Sequence, residues 1–289
     1  MTWVEAPGRD WWVASGEPHA SLRGHAVRYQ AYYEYTAQTA VRRHPPTGIV
    51  PIIIGFDAPM RMAGMAVEGG ALRSFTSFVA GPHDRFGDSE TEGVSHGLQV
   101  DLTPIGAYLF FGVPLRELAN RTLELEDIMG AEGREWIERL RVPTSEQAFD
   151  IVDEVIARRV TQAEPASRAV VWAWRRIEET GGRVRIGSLA ERVGWSRKHL
   201  ITRFREQVGM PPKTYARIVR FSRAVRLADG AAGEPRWVEI ALRSGYYDQA
   251  HLIRDFVAFA GVTPTEYAAR RLPGGGMDGA RRPGGARER

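Results

Sequence analysis

Residues 189–215 read LAERVGWSRKHLITRFREQVGMPPKTY, and residues 240–267 read IALRSGYYDQAHLIRDFVAFAGVTPTEY. Each runs short helix, glycine turn, second helix, glycine stop, proline and tyrosine, the pattern of a helix-turn-helix. Ala190 and Ala241, like Gly194 and Gly245, are 51 residues apart, whereas Leu200 and Leu252, Phe204 and Phe256, Gly209 and Gly261, and Tyr215 and Tyr267 are 52 apart. The extra residue falls in the second turn, where Gly245-Tyr246-Tyr247-Asp248 replaces Gly194-Trp195-Ser196. A turn tolerates such an insertion; inside a helix it would rotate every later side chain by about 100°.

In each repeat the apolar pair, Leu200 with Phe204 and Leu252 with Phe256, recurs at i, i+4 and should anchor the second helix. The opposite face carries Arg197, Lys198, His199 and Arg203 in the first repeat, and Gln249, Ala250, His251 and Arg254 in the second. Arg can bond guanine O6 and N7 together, and Gln can pair with adenine N6 and N7. Ser196 and Asp248 stand where N-caps belong. For Asp248 a capping role comes before any DNA contact, because its charge opposes phosphate. Pro212 suits a helix start, and a helix of about 17 residues to Asp229 would span about 26 Å. Neighbouring major-groove sites on one face of B-DNA lie about 34 Å apart, so such a connector could set the spacing.

The charge supports a polyanion partner for this part of the chain. Residues 1–164 hold 15 Lys+Arg against 23 Asp+Glu, a net −8; residues 165–272 hold 20 against 10, a net +10. The overall +4 conceals this split. Only Lys198 and Lys213 are lysines, which reads as genomic base composition and not as function.

The segment 166–271 resembles the DNA-binding domain of the AraC/XylS family of transcriptional regulators, the second repeat along its whole length. The resemblance implies a seven-helix domain that binds double-stranded DNA as activator or repressor. It places Arg203 and Arg254 on the reading helices with Lys198, His199, Gln249 and His251. The first repeat departs from the family pattern in its turn, Gly194-Trp195-Ser196, and in the basic cluster at its helix start. The stretch HGLQVDLTPIGAYLFFGVPLRELANRTLELEDIMG (96–130) is similar to the β-rich sensing domains of some members, which implies a regulatory role.

The expected fold class is α+β: a β-rich N-terminal domain with a helical subdomain, then an all-α double helix-turn-helix domain. The expected boundaries are 1–112 for the β-rich part, 113–164 for the helical part and linker, 165–272 for the DNA-binding part and 273–289 for a disordered tail. Val27–Tyr35, Gly48–Phe56, Met60–Met65, Ser74–Ala80 and Gly97–Leu102 read as strands of a sandwich or small barrel. Residues 1–20 show no clear period. From Val113, Leu115, Leu118, Ala119, Thr122 and Leu123 fall at helical spacing, as do Trp136, Ile137 and Leu140. Thr144–Gln147, Ser188–Glu191 and Thr263–Glu266 read as capping boxes. Phe149, Val152, Ile156 and Val160 line one face of a longer helix, and an amphipathic helix between Val113 and Val160 is the expected site of homodimer formation.

His44, His83, Asp84, His96 and Asp101 are candidate metal ligands in a β-rich setting, but the chain has no His-x-His pair, and the expectation is no metal and no cofactor. No G-x-S-x-G elbow, Walker loop or H-E-x-x-H is present, and no catalytic residue is assigned. Gly69-Gly70 and Gly274–Gly276 lack the strand-to-helix context of a phosphate loop. Trp11, Trp12, Tyr29, Tyr32, Tyr33, Tyr35, Phe56, Phe75 and Phe78 read first as core, and in the alternative as the lining of an apolar pocket for a small-molecule effector. An enzymatic N-terminal domain fused to a DNA-binding domain, and an effector-independent architectural DNA binder, stay as alternatives. RNA polymerase becomes a partner if the protein activates. The N-terminus lacks the layout of a secretory signal, no apolar run reaches the ~18 residues of a membrane span, and Cys is absent, so the expected location is the cytoplasm.

Overall fold

A computed structural model describes residues 2–5, 11–64, 72–142, 144–231, 233–272 and 276–279. Among these, ten strands form one antiparallel sheet: β1 (Thr2–Glu5), β2 (Trp11–Gly16), β3 (Ala26–His44), β4 (Val50–Gly55), β5 (Met60–Gly64), β6 (Arg73–Phe75), β7 (Ser77–Ala80), β8 (Gly87–Leu102), β9 (Thr122–Glu124) and β10 (Met277–Asp278). Their order is β1-β2-β3-β8-β4-β7-β9, with β5 and β6 beyond the start of β8, and β10 on β3. The expected sandwich or small barrel is therefore one connected sheet with ends at β1 and β9. Two long strands, β3 and β8, organise it. A register shift between Thr36 and Ala40 bends them, so that one half of β8 pairs with β4 and the other with β5.

One face of the sheet is apolar at every second residue. Tyr29 and Ala31 of β3, Leu98 and Val100 of β8, and Ile52 and Ile54 of β4 are all buried there. Against them lie α1 (Pro104–Phe111), α3 (Ala131–Arg139) and α4 (Ser145–Gln162), through Phe110, Trp136, Phe149, Val152 and Ile156. Met62, Phe75 and Phe78 form a small cluster with Ile53, whose side chain takes the opposite face.

Several sequence expectations need correction. The run Leu115–Leu123 is a 3-10 turn (Leu115–Glu117) followed by β9, because Thr122–Glu124 completes the sheet edge beside β7. The span 104–111, expected to continue the β-rich region, is helix α1. Its side chains divide between two cores, Ala107, Phe110 and Phe111 toward the sheet and Ile105 and Leu109 toward the C-terminal helices. A helix buried all round shows no amphipathic period. Residues 2–5 and 11–16, read as aperiodic, pair as β1 and β2. The apolar face of α4 is buried in the chain's own core, so it does not offer the self-association face expected of it.

Seven further helices are described after residue 165: α5 (Arg168–Glu179), α6 (Ile186–Arg192), α7 (Arg197–Val208), α8 (Pro212–Asp229), α9 (Trp237–Ser244), α10 (Gln249–Ala260) and α11 (Pro264–Arg270); α2 (Leu125–Met129) lies before them. They surround a second core of Trp174, Ile177, Leu200, Phe204, Tyr215, Phe221, Leu252, Phe256 and Phe259. Ser188 does not cap α6, which starts two residues earlier after Arg185. The expected disordered tail is replaced at Met277–Asp278 by β10; residues 273–275 and 280–289, and the pair Gly69-Gly70, lie outside the described residues. No helix among the described residues is long and apolar enough to cross a membrane.

Candidate nucleic-acid interface

The two repeats fold alike because the same signals act at the same places. Gly194 (φ 70°) and Gly245 (φ 87°) take the left-handed backbone that ends α6 and α9, and Gly209 and Gly261 do so after α7 and α10. Ser196 then caps α7, its hydroxyl accepting from the His199 N–H at 3.2 Å; Asp248 caps α10, its carboxylate accepting from the His251 N–H at 2.7 Å. The Thr263–Glu266 capping box forms in full. Pro212 opens α8, which runs to Asp229 as expected.

Each second helix buries the anchoring pair and leaves its N-terminal turns in solvent. Leu200, Phe204, Leu252 and Phe256 are fully buried. Arg197, Lys198 and His199 are exposed and Arg203 half-buried; Ala250 and Arg254 are exposed, and Gln249 and His251 half-buried. Both helices pack on α8, which separates them. Its Arg217 reaches α10 through Asp255, a fully buried carboxylate that accepts from Nη2 at 2.7 Å and Nε at 3.1 Å.

The site residues differ in how free they are. The Arg203 guanidinium lies 2.7 Å from Glu206, so a base contact must replace a surface ion pair of at most about 1 kcal/mol. Arg254 donates from Nε to the Ala250 carbonyl at 3.3 Å, within its own helix. His199 stands edge-on to Trp195 at 4.4 Å, and His251 to Tyr246 at 5.1 Å. These histidines brace the turns.

Two features escaped the sequence. An open cleft beside α7 is lined by Arg185 and Ser188 at the start of α6, Glu191 near its end, Arg197 at the start of α7, and Lys213 and Arg220 of α8. Four cations against the single Glu191 carboxylate leave this edge positive, which suits a phosphate backbone. The signal was present only as the excess of basic charge, with no spacing rule to gather it. The second is Tyr247, 89% exposed at the tip of the second turn, while its neighbour Tyr246 is buried. The inserted residue had already marked that turn.

His44 and His83 lie close enough to interact, but the candidate metal ligands do not gather at one place. Asp101 is fully buried and paired with Arg28 at 2.8 Å; His96 lies 3.3 Å from Asp57, among Trp12, Tyr33 and Phe56; His44 bonds Ser89 at 2.8 Å; the His83 Nδ1–H donates to the Gly81 carbonyl at 3.0 Å; and the Asp84 N–H donates to the Asn120 side chain. No group of three or more such side chains stands together among the described residues. Of the aromatic residues, Tyr29, Phe75 and Phe78 are core, whereas Tyr35 is exposed.

Comparison with known proteins gives two family matches. Residues 189–270 match a helix-turn-helix domain, and residues 16–124 match a domain of unknown function (DUF6597). The chain is 32% identical over 69 residues to an uncharacterized HTH-type transcriptional regulator, YbfI, of Bacillus subtilis (strain 168), covering 24% of each chain. It is 36% identical over 90 residues to the F1 operon positive regulatory protein of Yersinia pestis, covering 31% of this chain and 29% of that one. The matched stretches thus span under a third of these relatives' lengths. Among solved structures, ToxT from Vibrio cholerae aligns at TM-score 0.46 and 11% identity over 80% of this chain and 96% of that one. The C-terminal domain of AraT from Geobacillus stearothermophilus aligns at TM-score 0.34 and 24% identity over 38% of this chain and 93% of that one. The last third of this chain is thus similar to a helix-turn-helix domain, and its N-terminal sheet is similar to a domain with no assigned function.

Proposed function

We propose that this protein is a sequence-specific transcriptional regulator that binds double-stranded DNA through both repeats and is governed by its N-terminal domain. The observation that carries this reading is a pair of capped helices, each fixed by a buried apolar pair and each presenting its N-terminal turns to solvent. Arg197, Lys198, His199 and Arg203 would enter one major groove, and Gln249, Ala250, His251 and Arg254 the next, with Ser196 and Asp248 holding the helix starts. Arg185 and Lys213 would hold phosphates between them, and the exposed Tyr247 would reach another. Two relatives whose names describe transcriptional or operon regulation support the reading.

The N-terminal domain would sense a small molecule, and RNA polymerase would be a further partner of an activator. Two copies together would offer four reading helices. Division of labour between the acidic sheet and the basic helices matches the −8 and +10 split of charge.

Titration of duplex DNA at 50 mM and 200 mM salt tests the electrostatic part. Affinity should fall by about a thousandfold if six or more phosphates are neutralised. Binding that ignores salt, or no binding at either concentration, would refute the proposal.

A further inference from the structure

The end of α10 and a stretch of chain beyond α11 meet one patch of the N-terminal sheet. The patch lies where β3 ends and β8 begins, with Arg43 opposite Asp88. Arg43 is bonded twice to Asp88, Nε–Oδ1 at 2.8 Å and Nη2–Oδ2 at 3.0 Å, and its guanidinium carbon stands 3.8 Å from the centre of the Phe86 ring. That leaves Nη1, which donates to the Ala260 carbonyl at 3.4 Å, in the last residue of α10. A cation at a helix C-terminus satisfies an unpaired carbonyl and opposes the negative end of the helix dipole. Next to it, Gly261 (φ +72°) fits so closely that a Cβ would lie 2.6 Å from the Phe86 ring and 2.9 Å from Arg43 Nη1.

The second stretch follows α11. The chain turns back at the Arg271–Met277 bridge and adds β10 to the same strand, Met277 opposite Arg43 and Asp278 opposite Arg42. The Gly279 N–H donates to the Val41 carbonyl at 2.8 Å, and Met277 is fully buried in the core of the C-terminal helices. β2 pairs with β3 only between Tyr29 and Glu34, so β10 occupies a length of edge that β2 leaves open. An open edge is a template for strand addition. The first repeat docks elsewhere. A Cβ at Gly209 would lie 2.7 Å from Pro82, and α7 packs on α1 and on the turn that follows it.

We propose that Arg43 and the strap Met277–Gly279 are positioning groups that fix the second reading helix on the sheet, so that the register between the two reading helices is set from the N-terminal domain. The proposal rests on the DNA-binding reading above. The two repeats hold different parts of the N-terminal domain, so a shift at the β3–β8 end moves α10 relative to α7. The DNA then sees the change as an altered distance between half-sites.

Two full-length variants test this. Gly279→Pro removes the N–H that bonds Val41 and sets a ring against its side chain, where a Cβ would already lie 2.5 Å from Cγ1, yet it keeps every arginine of the tail. Arg43→Lys keeps the charge and loses the two-bond grip on Asp88. The probe is a library of duplexes with random cores, with hydrogen exchange measured in parallel. Each half-motif should keep its sequence in both variants, while the spacing between half-motifs, single-valued for the wild type, spreads over two or more base pairs. Amide exchange over Gln249–Gly261 should quicken about tenfold in Gly279→Pro with no change over Arg197–Val208. Unchanged spacing in both variants would overturn the positioning role alone. A wild-type chain that enriches no paired motif would overturn the DNA reading and this proposal with it.

Discussion

At the scale of single residues, the reading helices divide into groups that hold and groups that are free to read. Leu200, Phe204, Leu252 and Phe256 hold. His199 and His251 lean on aromatic rings of their own turns, which leaves Arg197, Lys198, Gln249 and the arginines as the stronger candidates for base contact. Arg254→Ala should relax the preference for guanine in one half-site and cost about 1–3 kcal/mol of binding there. Tyr247→Ala should weaken binding evenly across sequences, because a phosphate contact carries no base information. Comparing both variants on a panel of single-base-substituted duplexes separates the two roles. Equal affinity and preference for Arg254→Ala and the parent would exclude this side chain from base reading. The exposure of these residues was legible because helical spacing puts them opposite the apolar pair. Arg203 shows the limit of that legibility: its pairing with Glu206 depends on rotamers that spacing does not specify.

At the scale of elements, the helices end where capping chemistry and left-handed glycines require. Ser196→Ala and Asp248→Ala should each lower stability by about 1 kcal/mol by freeing an N–H at a helix start. Thermal unfolding of each variant measures this, and an unchanged melting temperature would deny the caps any role. Removing Asp248 should also raise DNA affinity slightly through the lost negative charge, an effect that Ser196→Ala lacks. Where such signals were strong, as at Pro212, Thr263 and the paired glycines, the sequence located the boundary. Where they were matched by chance they misled: Ser188 and Glu191 have capping-box spacing yet lie within or at the end of a helix already begun. The run Leu115–Leu123 has helical spacing, but the open edge of β7 recruits its last residues as a strand. Helix α1 was invisible because burial on every side erases the period that reveals a helix.

For the whole molecule, the two cores meet through α1 and the β3–β4 loop. The Tyr215 hydroxyl receives the Trp174 indole N–H at 2.8 Å and donates to Glu178, and it lies 3.3 Å from the Gly48 carbonyl of that loop. Two histidines flank this junction. Burial lowers the pKa of His83 below its ordinary value of 6.5, and burial followed by the nearby Arg175 charge does the same for His25. Both groups bind protons more weakly folded than unfolded. Their full contribution is therefore present above pH 6.5 and is lost as pH falls, by at most about 1.4 kcal/mol per pH unit for each imidazole. Melting should occur at a lower temperature at pH 5 than at pH 7, and His25→Gln with His83→Gln should narrow the gap. A gap that the double variant leaves untouched would assign the acid sensitivity to other groups. None of this docking was legible in the sequence, because contacts between distant segments such as Arg43 with Ala260, or Met277 with β3, leave no local period.

The central claim is that α7 and α10 read neighbouring turns of one duplex. Selection of bound sequences from duplexes with random cores tests it most directly. Two distinct motifs should be enriched on the same molecules, at one spacing near a helical turn of about 10–11 base pairs, and Arg254→Ala should degrade only one of them. Enrichment of a single motif, or of duplexes with no common sequence, would contradict the account.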